Sequence, residues 1–130
     1  MYYVVDDDVD DRQFLIEALA EIDMSAQCLT ACNGQEAIAF LNLTDSSKPD
    51  AIFLDLNMPR MNGKQCLAEL KKSPALKNIP VIIYSTSSDE QEMAETLKLG
   101  AAYFLTKKIR FGDLCTELLS MNLLSPAMSR

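Results

Sequence analysis

The 130-residue chain has no histidine, no long apolar run and no cluster of basic residues, and each absence excludes a class of protein. Without histidine, and with four cysteines whose spacing fits no zinc motif, a zinc site is excluded. Charged or polar residues interrupt every apolar stretch well short of the roughly 20 residues that cross a bilayer. The net charge of −7 argues against direct nucleic acid binding, because phosphate backbones attract clustered Lys and Arg.

The chain opens MYYVVDDD, which is not a secretory signal, so we expect a cytoplasmic protein with no membrane partner. Disulfides are rare in that compartment, and free cysteine behaves as a small hydrophobe. Because the cysteines lie among apolar residues, they are predicted to be reduced, packed side chains. They are Cys28, Cys32, Cys66 and Cys115.

Short apolar runs alternate five times with longer segments of helical period, which is typical of βαβ units feeding a parallel sheet. With 48% hydrophobic residues, the composition fits one compact domain, which we assign to residues 1–124, followed by a polar tail at 125–130. Right-handed crossovers then predict an α/β fold: a doubly wound five-stranded parallel sheet in the flavodoxin-like order 2-1-3-4-5, with helices on both faces. The predicted strands are residues 2–5, 27–31, 51–54, 81–84 and 103–106.

Two helix starts and one helix end carry recognisable signals. Asn33 with Glu36, and Ser88 with Gln91, resemble capping boxes, in which a polar side chain caps the first turn. Gly100 is typical of a residue that ends a helix.

Acidic residues follow two of the predicted strands directly. Asp6 and Asp7 come after YYVV, and Asp55 comes after AIFL, so the predicted order brings them together at the carboxyl edge of the sheet. Crowded carboxylates raise one another's pKa or bind a cation, and oxygen ligands without histidine or cysteine suit Mg²⁺. Helix capping alone is the competing interpretation, and it is favoured for the remaining aspartates, Asp8, Asp10 and Asp11.

A hydroxyl and an ammonium are expected at the same edge. Ser85 and Thr86 follow the fourth strand, and Lys107 follows the fifth. A carboxylate beside Mg²⁺ can attack a phosphoryl group and form an acyl phosphate if a metal, a lysine and a hydroxyl neutralise the oxygens. The sequence therefore predicts phosphoryl chemistry on Asp55.

The segments that carry these residues are VVDDD, FLDLNMPRMNG, IIYSTS and FLTKK, and they resemble the receiver domain of two-component response regulators. The resemblance covers nearly the whole chain. It implies that Asp55 is phosphorylated by a sensor histidine kinase or a histidine phosphocarrier. It also implies that Asp7 binds Mg²⁺ directly, that Asp6 assists partly through water, and that the backbone carbonyl of Asn57 completes the protein ligands.

The same resemblance implies roles for three further residues. Ser85 would bind the phosphoryl group and move toward it on activation, and Lys107 would pair with it. Phe104 matches the family's switch aromatic, although packing in the core explains an aromatic here equally well. The fourth helix, fifth strand and fifth helix would then present a face to a downstream protein target, with an activated homodimer left open.

The chain leaves the family pattern after the fifth strand, where Lys107 is followed by Lys108 instead of proline. Because a non-proline cis bond costs about 2.5 to 4 kcal/mol, we expect a trans peptide or a strained loop there. The stretch VDDDVDDR is similar to a single-domain subgroup that includes partners of phytochrome-type kinases. Its residues Asp10, Asp11 and Arg12 either shape a kinase-docking surface or simply begin a solvated helix.

Two other functions compete with the phosphorylated switch. A receiver-like module that only binds proteins would result if the altered loop or Ser85 weakened phosphorylation. A haloacid-dehalogenase-like phosphatase also uses a strand-end aspartate and Mg²⁺, but it needs a second acid two residues later, where this chain has Asn57. The domain is expected to act without an attached output domain and to catalyse only its own phosphorylation and dephosphorylation.

Overall fold

The computed structural model describes residues 1–43, 48–58, 61–107 and 110–121. Its five strands form one parallel sheet in the order β2-β1-β3-β4-β5, which confirms the predicted fold and strand order. Each strand is a short apolar run, and β1, β3 and β4 are buried throughout because helices cover both faces of the sheet. The strands are β1 (Tyr2–Val5), β2 (Cys28–Ala31), β3 (Ala51–Leu54), β4 (Val81–Ser85) and β5 (Tyr103–Thr106).

Alternate strand residues enter two separate cores. Tyr2 and Val4 pack with the helices on one face, whereas Tyr3 and Val5 pack with those on the other, as the two-residue period of a strand requires. The first core includes residues of α1 (Val9–Ile22) and α5 (Phe111–Ser120). The second includes residues of the helices α2 (Gly34–Leu43) and α3 (Gly63–Lys72). The remaining helix is α4 (Glu90–Lys98).

Polar side chains begin the helices at the predicted places, with one exception. Asp8 caps α1 by accepting a hydrogen bond from the Asp11 backbone N–H at 3.0 Å, and Asn33 accepts one from the Glu36 N–H at 2.9 Å. The prediction of Ser88 as the cap of α4 is wrong by one residue, because Asp89 accepts the hydrogen bond from the Gln91 N–H.

The turn before α4 explains this difference. Ser87 Oγ accepts the Asp89 N–H at 3.1 Å, which closes a local turn and delays the helix by one residue. At the other end of α4, Gly100 has φ = +114°, a left-handed conformation that favours glycine, as expected for a residue that ends a helix.

All four cysteines are free, as predicted, but they are not all packed. Cys66 is buried, whereas Cys32 is exposed because it follows the end of β2, where the chain leaves the sheet. No helix among the described residues is long and apolar enough to span a membrane. The predicted Lys107–Lys108 peptide, the domain limit at residue 124 and the tail at 125–130 lie outside the described residues.

Candidate functional site

The register of the sheet brings the acidic residues together. Val5 in β1 lies opposite Leu54 in β3, so Asp6 and Asp55 leave neighbouring strands at the same level. Asp6, Asp7 and Asp55 each place a carboxylate oxygen within 4.8 Å of the others. Asp6 and Asp55 are buried and Asp7 is exposed, so solvent reaches this group of carboxylates from the side of Asp7.

Lys107 lies directly beside this group. Its Nζ is 2.7 Å from Asp11 Oδ2, 2.9 Å from Asp6 Oδ2 and 3.7 Å from Asp55 Oδ1. It also lies 5.4 Å from the centre of the Tyr84 ring, which is within the range of a cation–π contact. The ammonium is thus closest to Asp11 and most distant, among the three carboxylates, from Asp55.

Burial and crowding shift the protonation of the site. Burial raises the pKa of Asp55 to about 6, and the charge of Asp6 adds to this rise, while Lys107 opposes it. Burial likewise raises the pKa of Asp6. Burial alone would lower the pKa of Lys107, but its short contacts with Asp11 and Asp6 outweigh burial and raise it. One ammonium therefore only partly compensates the carboxylates around it.

The remaining negative charge fits a hard divalent cation. Asp6 Oδ2 is buried, and the Lys107 ammonium that lies 2.9 Å from it is shared with Asp11 and Asp55. Buried carboxylates are costly unless positive charge compensates them, and one ammonium does not compensate all of these. Carboxylate oxygens are the preferred ligands of Mg²⁺ and Ca²⁺, so Asp6, Asp7 and Asp55 can hold such an ion.

The loop after β1 is held in place by its own side chains. The Asp8 backbone N–H donates to Asp6 Oδ1 at 3.0 Å, and Arg12 Nη1 donates to the Asp6 carbonyl oxygen at 2.7 Å. Since Arg12 lies in the first turns of α1, this contact ties the helix to the end of β1. Asp6 is therefore oriented by backbone and side-chain contacts together.

The predicted hydroxyl and lysine lie at the ends of two neighbouring strands, β4 and β5. Ser85 ends β4 and lies opposite Thr106 in β5, and the Lys107 N–H donates to the Ser85 carbonyl at 2.7 Å. Ser85 is fully buried, and its Oγ accepts the Ser87 N–H at 3.2 Å, whereas Thr86 is exposed. The sheet thus brings Ser85 and Lys107 to one edge.

Asn57 and Phe104 complete the predicted set. Asn57 is exposed beside Asp55, and its backbone N–H donates a hydrogen bond to Asp55. Asn57 also lines an open cleft of about 420 Å³ together with Asp7, Met58 and others. Phe104 is half-buried and packs against the core under α2 and α3. This packing is expected of a switch aromatic and of a core aromatic alike.

Gly63 is a residue that sequence reasoning did not single out. A Cβ at this position would lie 2.3 Å from the Asp55 carbonyl oxygen and 2.6 Å from Leu56 Cα. The Gly63 N–H donates to the Leu56 carbonyl at 2.9 Å, so α3 begins directly against the end of β3. The glycine in the MNG segment signals a turn, but the sequence does not reveal which backbone it approaches.

Asp11 was interpreted as part of the helix start, and the structure adds a contact that this interpretation did not include. Its side chain binds Lys107 across 96 residues of sequence at 2.7 Å. The sequence carries no local signal for this contact, because only the packing of the fold brings Asp11 and Lys107 together.

A five-stranded sheet of this order with an acidic group at the ends of β1 and β3 defines a class of domain, and sequence comparison identifies the family. The family described as "Response regulator receiver domain" matches residues 3–119. The chain therefore belongs to the response regulator receiver domain family, a family of two-component signalling modules that interact with phosphodonors and downstream targets.

Two relatives illustrate the similarity in sequence. Response regulator Rcp1 from Synechocystis is 33% identical over 115 residues, covering 85% of this chain and 78% of Rcp1. Response regulator ARR9 from Arabidopsis thaliana is 35% identical over 128 residues and covers 85% of this chain, but this chain spans only 54% of ARR9.

The structural matches agree. The phosphorylated cyanobacterial phytochrome response regulator RcpA superposes with a TM-score of 0.82 at 33% identity, covering 92% of this chain and 89% of RcpA. The Mn²⁺-bound form of Rcp1 superposes with a TM-score of 0.76 at 28% identity, covering 95% and 91% of the two chains.

Proposed function

We propose that this domain is a phosphorylation-driven switch in which Asp55 accepts a phosphoryl group, with Mg²⁺ held by Asp6, Asp7, Asp55 and the backbone carbonyl of Asn57. One observation carries the proposal: Asp55 lies within one group of carboxylates that has a lysine at its edge. Two structural matches add support, because RcpA was solved phosphorylated and Rcp1 bound to Mn²⁺.

Each residue of the site would have a separate role in phosphoryl transfer. Asp55 is the nucleophile, and its pKa of about 6 leaves it mostly ionised at neutral pH. Lys107 pairs with the transferred group, and Ser85 donates a hydrogen bond to it from the neighbouring strand. Mg²⁺, when bound, supplies the positive charge that neutralises the oxygens of the phosphoryl group. The cleft beside Asp7 and Asn57 is open enough for a donor to approach.

The readout would follow from the connection between Ser85 and β5. Ser85 and Thr106 lie opposite each other, so a movement of Ser85 toward the phosphoryl group changes the end of β5. Phe104 lies two residues earlier in that strand and is half-buried, so a change at the end of β5 would alter its exposure. The partners would be a sensor histidine kinase or histidine phosphocarrier and a protein that binds the face of α4, β5 and α5, all in the cytoplasm.

Intact-mass spectrometry after incubation with Mg²⁺ and acetyl phosphate tests the proposal. The wild type is expected to gain the mass of one phosphoryl group, and Asp55→Asn is expected to gain none. Asp50→Asn is a matched control, because Asp50 precedes the other end of β3 and is exposed. It should be phosphorylated like the wild type.

The competing functions give different results in the same experiment. Binding of Mg²⁺ without any adduct would favour a module that only binds proteins. Rapid hydrolysis of p-nitrophenyl phosphate would favour a phosphatase, although Asn57 occupies the position where a phosphatase needs its second acid. An adduct that persists in Asp55→Asn would move the acceptor to another residue.

A further inference from the structure

Lys107 has a carboxylate partner that the proposed chemistry does not use. Its Nζ is 2.7 Å from Asp11 but 3.7 Å from Asp55, which is too long for a direct hydrogen bond. Lys107 is largely buried, with 11% of its side chain exposed, whereas Asp11 is 38% exposed. The ammonium therefore lies between the buried Asp6 carboxylate and the partly exposed Asp11 carboxylate of α1.

The contact is not a by-product of helix capping. The carboxylate that caps α1 is that of Asp8, which accepts a hydrogen bond from the backbone N–H of Asp11. The Asp11 carboxylate takes no part in this cap. Asp10 lies in the same first turn and is exposed, yet among the described residues only Asp6, Asp11 and Asp55 pair with Lys107. The side chain of Asp11 thus has a specific partner that is distant in sequence.

We propose that Asp11 is a positioning residue for Lys107: together with Asp6 it holds the ammonium 3.7 Å from Asp55 Oδ1, which leaves Asp55 and Asp7 open to a cation. This inference rests on the proposed function of the site. A lysine that paired fully with Asp55 would compete with Mg²⁺ for its oxygens. Asp11 offers Lys107 a third carboxylate and so reduces that competition.

The same contacts would compete with a phosphoryl group for Lys107. Without a phosphoryl group, Lys107 rests between Asp11 and Asp6. A phosphoryl group on Asp55 would carry a greater negative charge and draw the ammonium toward it, against the attraction of Asp11 and Asp6.

Mg²⁺ titration without any phosphodonor, followed by backbone amide NMR shifts, tests the inference. Asp11→Asn is expected to weaken Mg²⁺ binding about fivefold, which corresponds to the upper range for a partly exposed ion pair. Asp10→Asn removes the same charge from the same helical turn, and it is expected to weaken binding by less than about twofold.

A double-mutant cycle separates positioning from simple loss of charge. In a Lys107→Met background, Asp11→Asn should weaken Mg²⁺ binding less than it does in the wild type, because only the direct loss of charge remains and there is no lysine to reposition. The Nζ resonance of Lys107 in Mg²⁺-free protein should also shift in Asp11→Asn and stay unchanged in Asp10→Asn. Amide spectra show whether each variant is folded.

Two results would overturn the inference. One is an equal effect of Asp11→Asn and Asp10→Asn in the wild-type background, and the other is a Lys107 resonance that does not respond to Asp11. Failure of the proposed function is distinguishable, since a protein that binds Mg²⁺ but forms no adduct would still give the expected cycle.

Discussion

Replacing Asp55 by Asn is expected to stabilise the fold, and to do so only above a certain pH. Burial raises the pKa of Asp55 from its ordinary value of 3.8 to about 6. A carboxyl group whose pKa is raised by folding favours the folded state while it is protonated. That contribution is complete below the ordinary pKa and is lost as the pH rises through about 6.

The size of the effect follows from the shift. About two pKa units correspond to roughly 3 kcal/mol, which is the cost of keeping Asp55 ionised in the folded protein. Asparagine has nearly the same shape and no charge, so Asp55→Asn should gain up to about 3 kcal/mol at pH 8, or about 10 °C in melting temperature. Near pH 4 the two proteins should be almost equally stable.

Urea unfolding of both proteins at several pH values between 4 and 8 measures the difference. The experiment is done in EDTA, because bound Mg²⁺ would offset the charge of Asp55 in the wild type. Adding Mg²⁺ at pH 8 should narrow the gap. A difference that does not depend on pH, or an Asp55→Asn protein that is less stable at pH 8, would refute the reasoning.

Three further predictions test the packing and the metal site. Gly63→Ala should destabilise the fold by about 2 kcal/mol or more in urea unfolding, because its Cβ meets backbone, whereas Gly112→Ala meets nothing within 4 Å and should be neutral or slightly stabilising. Iodoacetamide labelling and peptide mass spectrometry should find Cys32 modified first and Cys66 last, since Cys66 is buried and burial raises its pKa to about 12. Mg²⁺ at 100 times its dissociation constant should stabilise the wild type by about 2.7 kcal/mol in thermal unfolding, and Asp7→Asn should lose most of that gain. Equal stability of the two alanine variants, rapid labelling of Cys66, or a full Mg²⁺ effect in Asp7→Asn would each contradict the corresponding prediction.

The sheet and the acidic group were accessible from the sequence because both depend on local patterns. Buried parallel strands are short apolar runs, and residues that directly follow them must lie at one edge once the strand order is known. The sequence therefore predicted that Asp6 and Asp55 lie close together, although the two residues are far apart in the chain.

The remaining features depend on contacts that a local pattern does not contain. The pairing of Asp11 with Lys107 joins a helix start to a strand end and requires the packing of α1 beside the end of β5. The close approach of Gly63 to the backbone of β3 is a tertiary contact of the same kind. Asp89 caps α4 in place of Ser88 because the Ser87 side chain closes a turn with the Asp89 N–H, and this turn precedes the first residue of the helix.

The charge balance of the carboxylate group has a consequence for how the domain would signal. Four ionised carboxylates, those of Asp6, Asp7, Asp11 and Asp55, beside one ammonium leave three net negative charges, which a divalent cation lowers to one. A phosphoryl group on Asp55 would replace one negative charge by about two, so that the site becomes more negative by about one charge. Under the proposed function, the domain would respond to this uncompensated charge, and the buried ends of β4 and β5 would be the nearest groups able to move toward it.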